Sequence, residues 1–219
     1  MSDVVVFFRT RAHEGYCCTA LPVLQALLLS KSRCFDEKMP QPAPSTVTIL
    51  GVDPGTRRMG FGWIEFDARN PDRLVARGCG VIEPDGKLSV DRRLAAIMGE
   101  LETFFAERRP AKLVIENVFL SKSVSSAFVL GESRGVVLAV AGKYEAEVLQ
   151  VATKTAKKAV TGRGDADKEE VRMVLDRLLH LGGALANLPL DASDGLALAY
   201  QGWRAHVAGT LAGDLVTGP

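Results

Sequence analysis

Four carboxylates in this chain stand where their type and setting suit chemistry. Asp53 closes the apolar run Ile49-Leu50-Gly51-Val52 and precedes Pro54-Gly55-Thr56. Glu116 follows Leu113-Val114-Ile115, and Asp191 and Asp194 lie three apart at the start of a helical pattern. Residues three apart share one face of a helix, so those two side chains point the same way. Each group also has an ordinary reading. Asp53 would open a turn, Glu116 would be an exposed strand end, and Asp191 would be an N-cap with Asp194 completing a near capping box. Their joint placement says more. If the strands ending in Asp53 and Glu116 are neighbours, the two carboxylates stand side by side, and a helix laid across them brings in the other two. Four such groups repel and raise one another's pKa. Divalent cations that favour hard oxygen ligands, magnesium or manganese, relieve that repulsion. Two of them about 4 Å apart activate water and stabilise the leaving oxygen of a phosphodiester.

Such a placement requires a sheet with helices packed on it, and the patterning predicts one. Val47–Val52, Gly60–Phe66 and Leu74–Ile82 read as a three-stranded meander, with Asn70-Pro71-Asp72 as a turn. Leu94, Ile97, Met98, Leu101, Phe104 and Phe105 recur at helical spacing and predict a helix over Ser89–Arg108. Leu113–Ile115 and Glu147–Val151 read as short strands, with a sparsely charged helix over Ser123–Tyr144 between them. Helices are expected over Lys154–Val160, Asp167–Leu181 and Ala192–His206. This order predicts an α/β fold, a mixed central sheet with helices on both faces.

The first 47 residues read differently. Residues 39–47 hold three prolines and resemble a linker, and residues 16–30 form an apolar stretch behind Arg9 and Arg11. Pro22 interrupts that stretch, an apolar run precedes the arginines, and 15 residues are too few to span a bilayer, which takes about 20. Met39 offers a start nine residues before the patterned body, so residues 1–38 are expected to be an upstream misread start or a dispensable extension. The expected organisation is thus 1–47 as an extension without fixed structure, 48–206 as the working domain and 207–219 as a flexible tail. Three of the four cysteines fall within the first 34 residues, no two show metal-knuckle spacing, and a reduced, cytoplasmic setting is expected. The whole chain has 27 basic and 26 acidic residues. The leader takes five of the former and four of the latter, which leaves the rest neutral. Neutrality does not exclude nucleic acid, because an acidic metal site and a basic surface cancel in the sum.

Taken together, ILGVDPGT at 49–56, IENVF at 115–119, SKSVSSAFVLGESRG at 121–135 and DASDGLALA at 191–199 resemble the RuvC family of bacterial Holliday junction resolvases. The resemblance runs over about residues 48–206. It implies an RNase H-like fold, a homodimer and a magnesium-dependent endonuclease that nicks two like-polarity strands of a four-way junction symmetrically. It places the family's acidic ligands on Asp53, Glu116, Asp191 and Asp194, with two Mg2+ ions per site that Mn2+ can replace. It also implies delivery of junctions by a RuvA–RuvB branch-migration complex.

Lys154, Lys157, Lys158, Arg163 and Lys168 cluster before the C-terminal helices, diluted by Asp165 and Asp167. They read either as a solvated helix face or as a ridge that contacts phosphates. The resemblance implies that Lys157 and Lys168 match the family's active-site lysines, suited to phosphate or transition-state charge. Arg57, Arg58 and Lys122 are candidates for the same DNA surface. Phe119 reads as a core aromatic, or, by the resemblance, as one that stacks on a base at the junction centre. Gly131 and Gly135 imply close packing of their helix, within the chain or at the dimer contact.

Two other functions fit parts of the sequence. Asp-Pro-Gly-Thr after a strand also resembles the first phosphate loop of actin-like and sugar-kinase phosphotransferases, but the body is short for two lobes and lacks a second Asp-x-Gly-Gly loop. A non-catalytic junction-binding module would not need all four carboxylates.

Overall fold

The computed structural model describes residues 4–12, 45–117 and 124–209. Six strands form one sheet: β1 (Val4–Ala12), β2 (Thr46–Asp53), β3 (Met59–Asp67), β4 (Asn70–Pro84), β5 (Lys112–Glu116) and β6 (Glu147–Val151). Their spatial order is β1-β4-β3-β2-β5-β6. β2, β3 and β4 are the antiparallel meander, whereas β5 and β6 run parallel to β2. Five helices are found among the described residues: α1 (Val90–Arg108), α2 (Val124–Lys143), α3 (Thr153–Thr161), α4 (Lys168–Leu178) and α5 (Leu190–Val207). A single 3-10 turn, Ala184–Asn187, precedes α5.

Strand alternation decides which helix covers which face. Leu50, Val52, Phe61 and Trp63 pack with Ile97, Leu101 and Phe105 of α1 and with Val137 and Val140 of α2. Ile49, Ile64 and Val114 face the other way, onto Leu196 and Ala199 of α5 and Leu175 of α4. Asp53 has the parity of Ile49, and Glu116 that of Val114. Both therefore emerge on the α5 face, at the carboxyl ends of neighbouring parallel strands.

α5 lies unusually close to that face. A Cβ at Gly51 would come within 2.2 Å of the Gly195 carbonyl, one at Gly62 within 2.4 Å of the Leu196 Cα, and one at Gly195 within 2.5 Å of the Phe61 Cα. Real Cβ contacts are not that short, so glycines on both surfaces let backbone meet backbone. Leu196, Leu198 and Ala199 then fill the remaining space.

The β3–β4 turn falls earlier than the sequence suggests. Ala68 and Arg69 make it, and Asn70 already pairs with Asp67. The Asp67 carboxylate accepts the Arg69 N–H at 3.0 Å and closes the loop locally. Pro71 is accommodated near the strand's start, where a missing N–H costs least. Its carbonyl accepts the Trp203 indole N–H at 2.9 Å, which ties β4 to α5.

The other elements match their expected positions within about two residues, except that α4 ends at Leu178, three residues short of Leu181. In the segment expected to lack fixed structure, Val4–Ala12 pairs in parallel with Ala76–Pro84 of β4, and Thr46 and Val47 already belong to β2. Residues 1–3 and 13–44 lie outside the described residues, as does the tail from residue 210. Among the described residues, a Cβ on Gly131 or Gly135 would meet nothing within 4 Å, so no close packing of that helix is seen there.

Candidate active site

Three of the four carboxylates meet. Ligand oxygens of Asp53, Asp191 and Asp194 all lie within 4.8 Å of one another. Strand register explains the fourth. Val52 stands opposite Ile115 in the parallel pair, so Asp53 and Glu116 follow at the same level. Glu116 lines one cleft with Asp53 and Asp194 and with Thr153, Lys157 and Lys168. The N-cap reading of Asp191 is replaced: Pro189 is the N-cap residue, and Asp191 sits inside the first turn of α5. Its height is set by Gly60, where a Cβ would come within 1.9 Å of the Asp191 carbonyl oxygen.

Burial and crowding show in the proton affinities. Burial, then the charges of Asp194 and Glu116, push Asp53 up from 3.8 to about 7, against the pull of Lys168. Asp194 is also raised, by burial first, although the Lys168 ammonium hydrogen-bonds to it and opposes the rise. Lys168 is itself raised: burial lowers it, but the bond and charge of Asp194 outweigh that, so it stays cationic across the neutral range. Arg58 spans two carboxylates, with Nη2 at 2.8 Å from Glu83 Oε1 and Nη1 at 3.5 Å from Asp191 Oδ2. All-oxygen donors this close, crowded enough to raise Asp53 to about 7, fit a hard divalent cation that would relieve their repulsion.

The other predicted residues divide. Lys157 is half-buried, lines the cleft and donates from Nζ to the Ala166 carbonyl at 2.5 Å. Lys158 is exposed and is not part of the cleft lining, because it sits one residue further around α3. Arg57 is exposed beside Arg58. Arg163 is engaged by acidic neighbours, 2.8 Å from Glu170 and 3.7 Å from Asp165. Phe119 and Lys122 lie outside the described residues. Sequence reasoning missed two contacts to Glu116. Thr153 Oγ1 donates to its carboxylate, and Arg134 Nη1 donates to its carbonyl at 2.5 Å.

The family model described as crossover junction endodeoxyribonuclease RuvC matches residues 49–201. The chain belongs to the RuvC family. Among curated RuvC proteins, that of Chlorobaculum parvum is 40% identical over 152 residues, covering 69% of this chain and 79% of its own length. The Bdellovibrio bacteriovorus RuvC is 39% identical over 154 residues, covering 70% and 88%. The solved structure of Thermus thermophilus RuvC in complex with Holliday junction substrate superposes with a TM-score of 0.63 at 24% identity, covering 74% of this chain and 96% of that one. At that identity the likeness establishes the fold, which is RNase H-like. RuvC membership, over a single lobe, replaces the phosphotransferase reading. Among the described residues no helix is long and apolar enough to cross a membrane.

Proposed function

We propose that this RuvC protein resolves four-way DNA junctions by metal-dependent nicking in recombination and repair, and that Asp53, Glu116, Asp191 and Asp194 are its metal ligands. The observation that carries the reading is the meeting of three aspartates from β2 and α5, two of which, Asp53 and Asp194, line a cleft with Glu116, Lys157 and Lys168. Divalent ions, two Mg2+ or Mn2+ when bound, supply an activated water and charge stabilisation at the leaving oxygen. The chain's own residues do the rest. With its carboxyl raised to about 7, the protonated fraction of Asp53 would lose its proton to serve as a ligand. Lys168 pairs with Asp194, and its ammonium lines the same cleft in which a scissile phosphate would lie. Lys157 adds a second positive charge on the α3 wall. Such charge placed where the transition state is most anionic is worth far more than in water.

Arg57, Arg58, Lys122 and Lys158 extend this as a phosphate-contacting surface around the cleft, and Phe119 serves as a base-stacking aromatic. Each active site cuts one strand, so symmetric nicking calls for a homodimer. Support comes from α2, where Phe128 is 70% exposed and Val129 42% exposed, on a helix where a Cβ at Gly131, Gly135 or Gly142 would meet nothing within 4 Å among the described residues. A RuvA–RuvB complex delivering the junction and a cytoplasmic location complete the reading. Incubation of a synthetic four-way junction with the protein and Mg2+ tests it: paired, symmetric nicks are expected, with Asp53→Asn binding the junction and leaving it uncut. Normal cutting by that variant would sink the ligand assignment.

A further inference from the structure

Glu116 stands apart from the three aspartates that share ligand distance. Its side chain therefore takes its position from something other than that cluster. We propose that Thr153 is the positioning residue for Glu116, orienting its carboxylate for the cation that the aspartates bind. The inference rests on the nuclease reading above.

Two contacts fix Glu116 from two different helices. Arg134 of α2 holds the backbone carbonyl at 2.5 Å. Thr153 of α3 donates its hydroxyl proton to Oε1. A carboxylate offers about four lone-pair sites on two oxygens, and a hydroxyl has one proton to give. The hydroxyl therefore takes one of those sites, on Oε1, and the carboxylate keeps capacity for a further ligand. Threonine suits the task because branching at Cβ stiffens χ1. It is also the first residue of α3, directly after the N-cap Ala152, where the helix end favours negative charge. Register brings the pair together: Glu116 stands opposite Val151, two residues before Thr153. One turn along α3, Lys157 lines the same cleft. The hydroxyl thus ties the lysine-bearing helix to the strand that carries Glu116.

The test compares Thr153→Val, which keeps shape and removes the hydroxyl, with Thr153→Ser, which keeps it. Mn2+ affinity of the DNA-free protein is read by electron paramagnetic resonance, and single-turnover junction cleavage is read beside it. Expected for Thr153→Val is a loss of Mn2+ affinity of about tenfold or more, the usual cost of removing a group that orients a ligand. Cleavage should fall in parallel while junction affinity in EDTA stays level. Thr153→Ser should recover most of both, and Thr153→Val should cost nothing further in a Glu116→Gln background. Wild-type Mn2+ affinity in Thr153→Val would overturn the proposal, as would equal damage from the serine variant or an undiminished effect without Glu116. A wild-type protein that neither binds Mn2+ nor cuts junctions would instead overturn the nuclease site itself, and this inference with it.

Discussion

Gly60 of β3 lies directly beneath the backbone of Asp191, so close that a methyl group would sit 1.9 Å from the Asp191 carbonyl oxygen. The relationship fixes the first turn of α5 against the sheet, and Gly51, Gly62 and Gly195 continue it along the helix. Gly60→Ala must lift that turn. The expected result is a drop in junction cleavage of at least tenfold together with a destabilisation of about 1–3 kcal/mol, the range for overpacking a filled interior. Cleavage assays and urea unfolding check it; unchanged cleavage would mean the helix start yields without moving Asp191.

Asp53 predicts the sign of a pH effect. The unfolded chain loses this proton near 3.8, whereas the folded protein keeps it to about 7. Between those values the folded state binds more protons, so its stability falls as pH rises through the window. In EDTA, Asp53→Asn should melt higher than wild type at pH 8, with the gap closing toward pH 4. Each 1 kcal/mol corresponds to about 2–4 °C for a protein of this size. Thermal scans from pH 4 to 8 measure the gap, and a gap independent of pH would contradict the burial and repulsion ascribed to Asp53.

Lys168 is poised on Asp194 in the cleft. Lys168→Ala should lower single-turnover cleavage by about a hundredfold, comparable to removing one preorganised donor to a transition-state charge. Junction affinity should change only a few-fold, because one phosphate contact among many is lost. A variant that binds weakly but cuts normally once saturated would assign Lys168 to binding alone.

Glu65 and Arg108 form an ion pair at 3.2 Å, with only 3% and 6% of each residue exposed. Burial raises the Glu65 carboxyl, and the Arg108 charge draws it back. Arg108→Met should cost about 3–5 kcal/mol by stranding the carboxylate. Adding Glu65→Leu should return much of it, and a denaturant double-mutant cycle would measure the coupling.

The elements that announce themselves by period were legible: the meander, α1, the buried strand before Glu116 and the two aspartates on one helix face. What stayed hidden depends on distance between segments. Nothing in the order of residues says that Gly51, Gly60, Gly62 and Gly195 meet across an interface, since each alone reads as a turn or a flaw. The hairpin was misplaced because Asn70-Pro71 is a stronger local turn signal than Ala68-Arg69, and the Asp67 carboxylate that closes the real turn looks like any surface acid. Thr153 was invisible for a similar reason. Its partner lies 37 residues away, and only parallel pairing of β5 with β6 brings the two level. The cluster itself was readable because strand parity and helix spacing both act locally, while the ion pairs of Lys168 and Arg58 needed the folded cleft.

The glycine seam under α5 also shapes how this protein tolerates change. Its members bear no functional group, yet none has room to become anything larger. A survey of inactive variants would therefore return Gly51, Gly60, Gly62 and Gly195 alongside the aspartates, as though they were reagents. Because the same backbone contact supports both the hydrophobic interior and the spacing of the acids, drift at these positions has no route that harms one and spares the other.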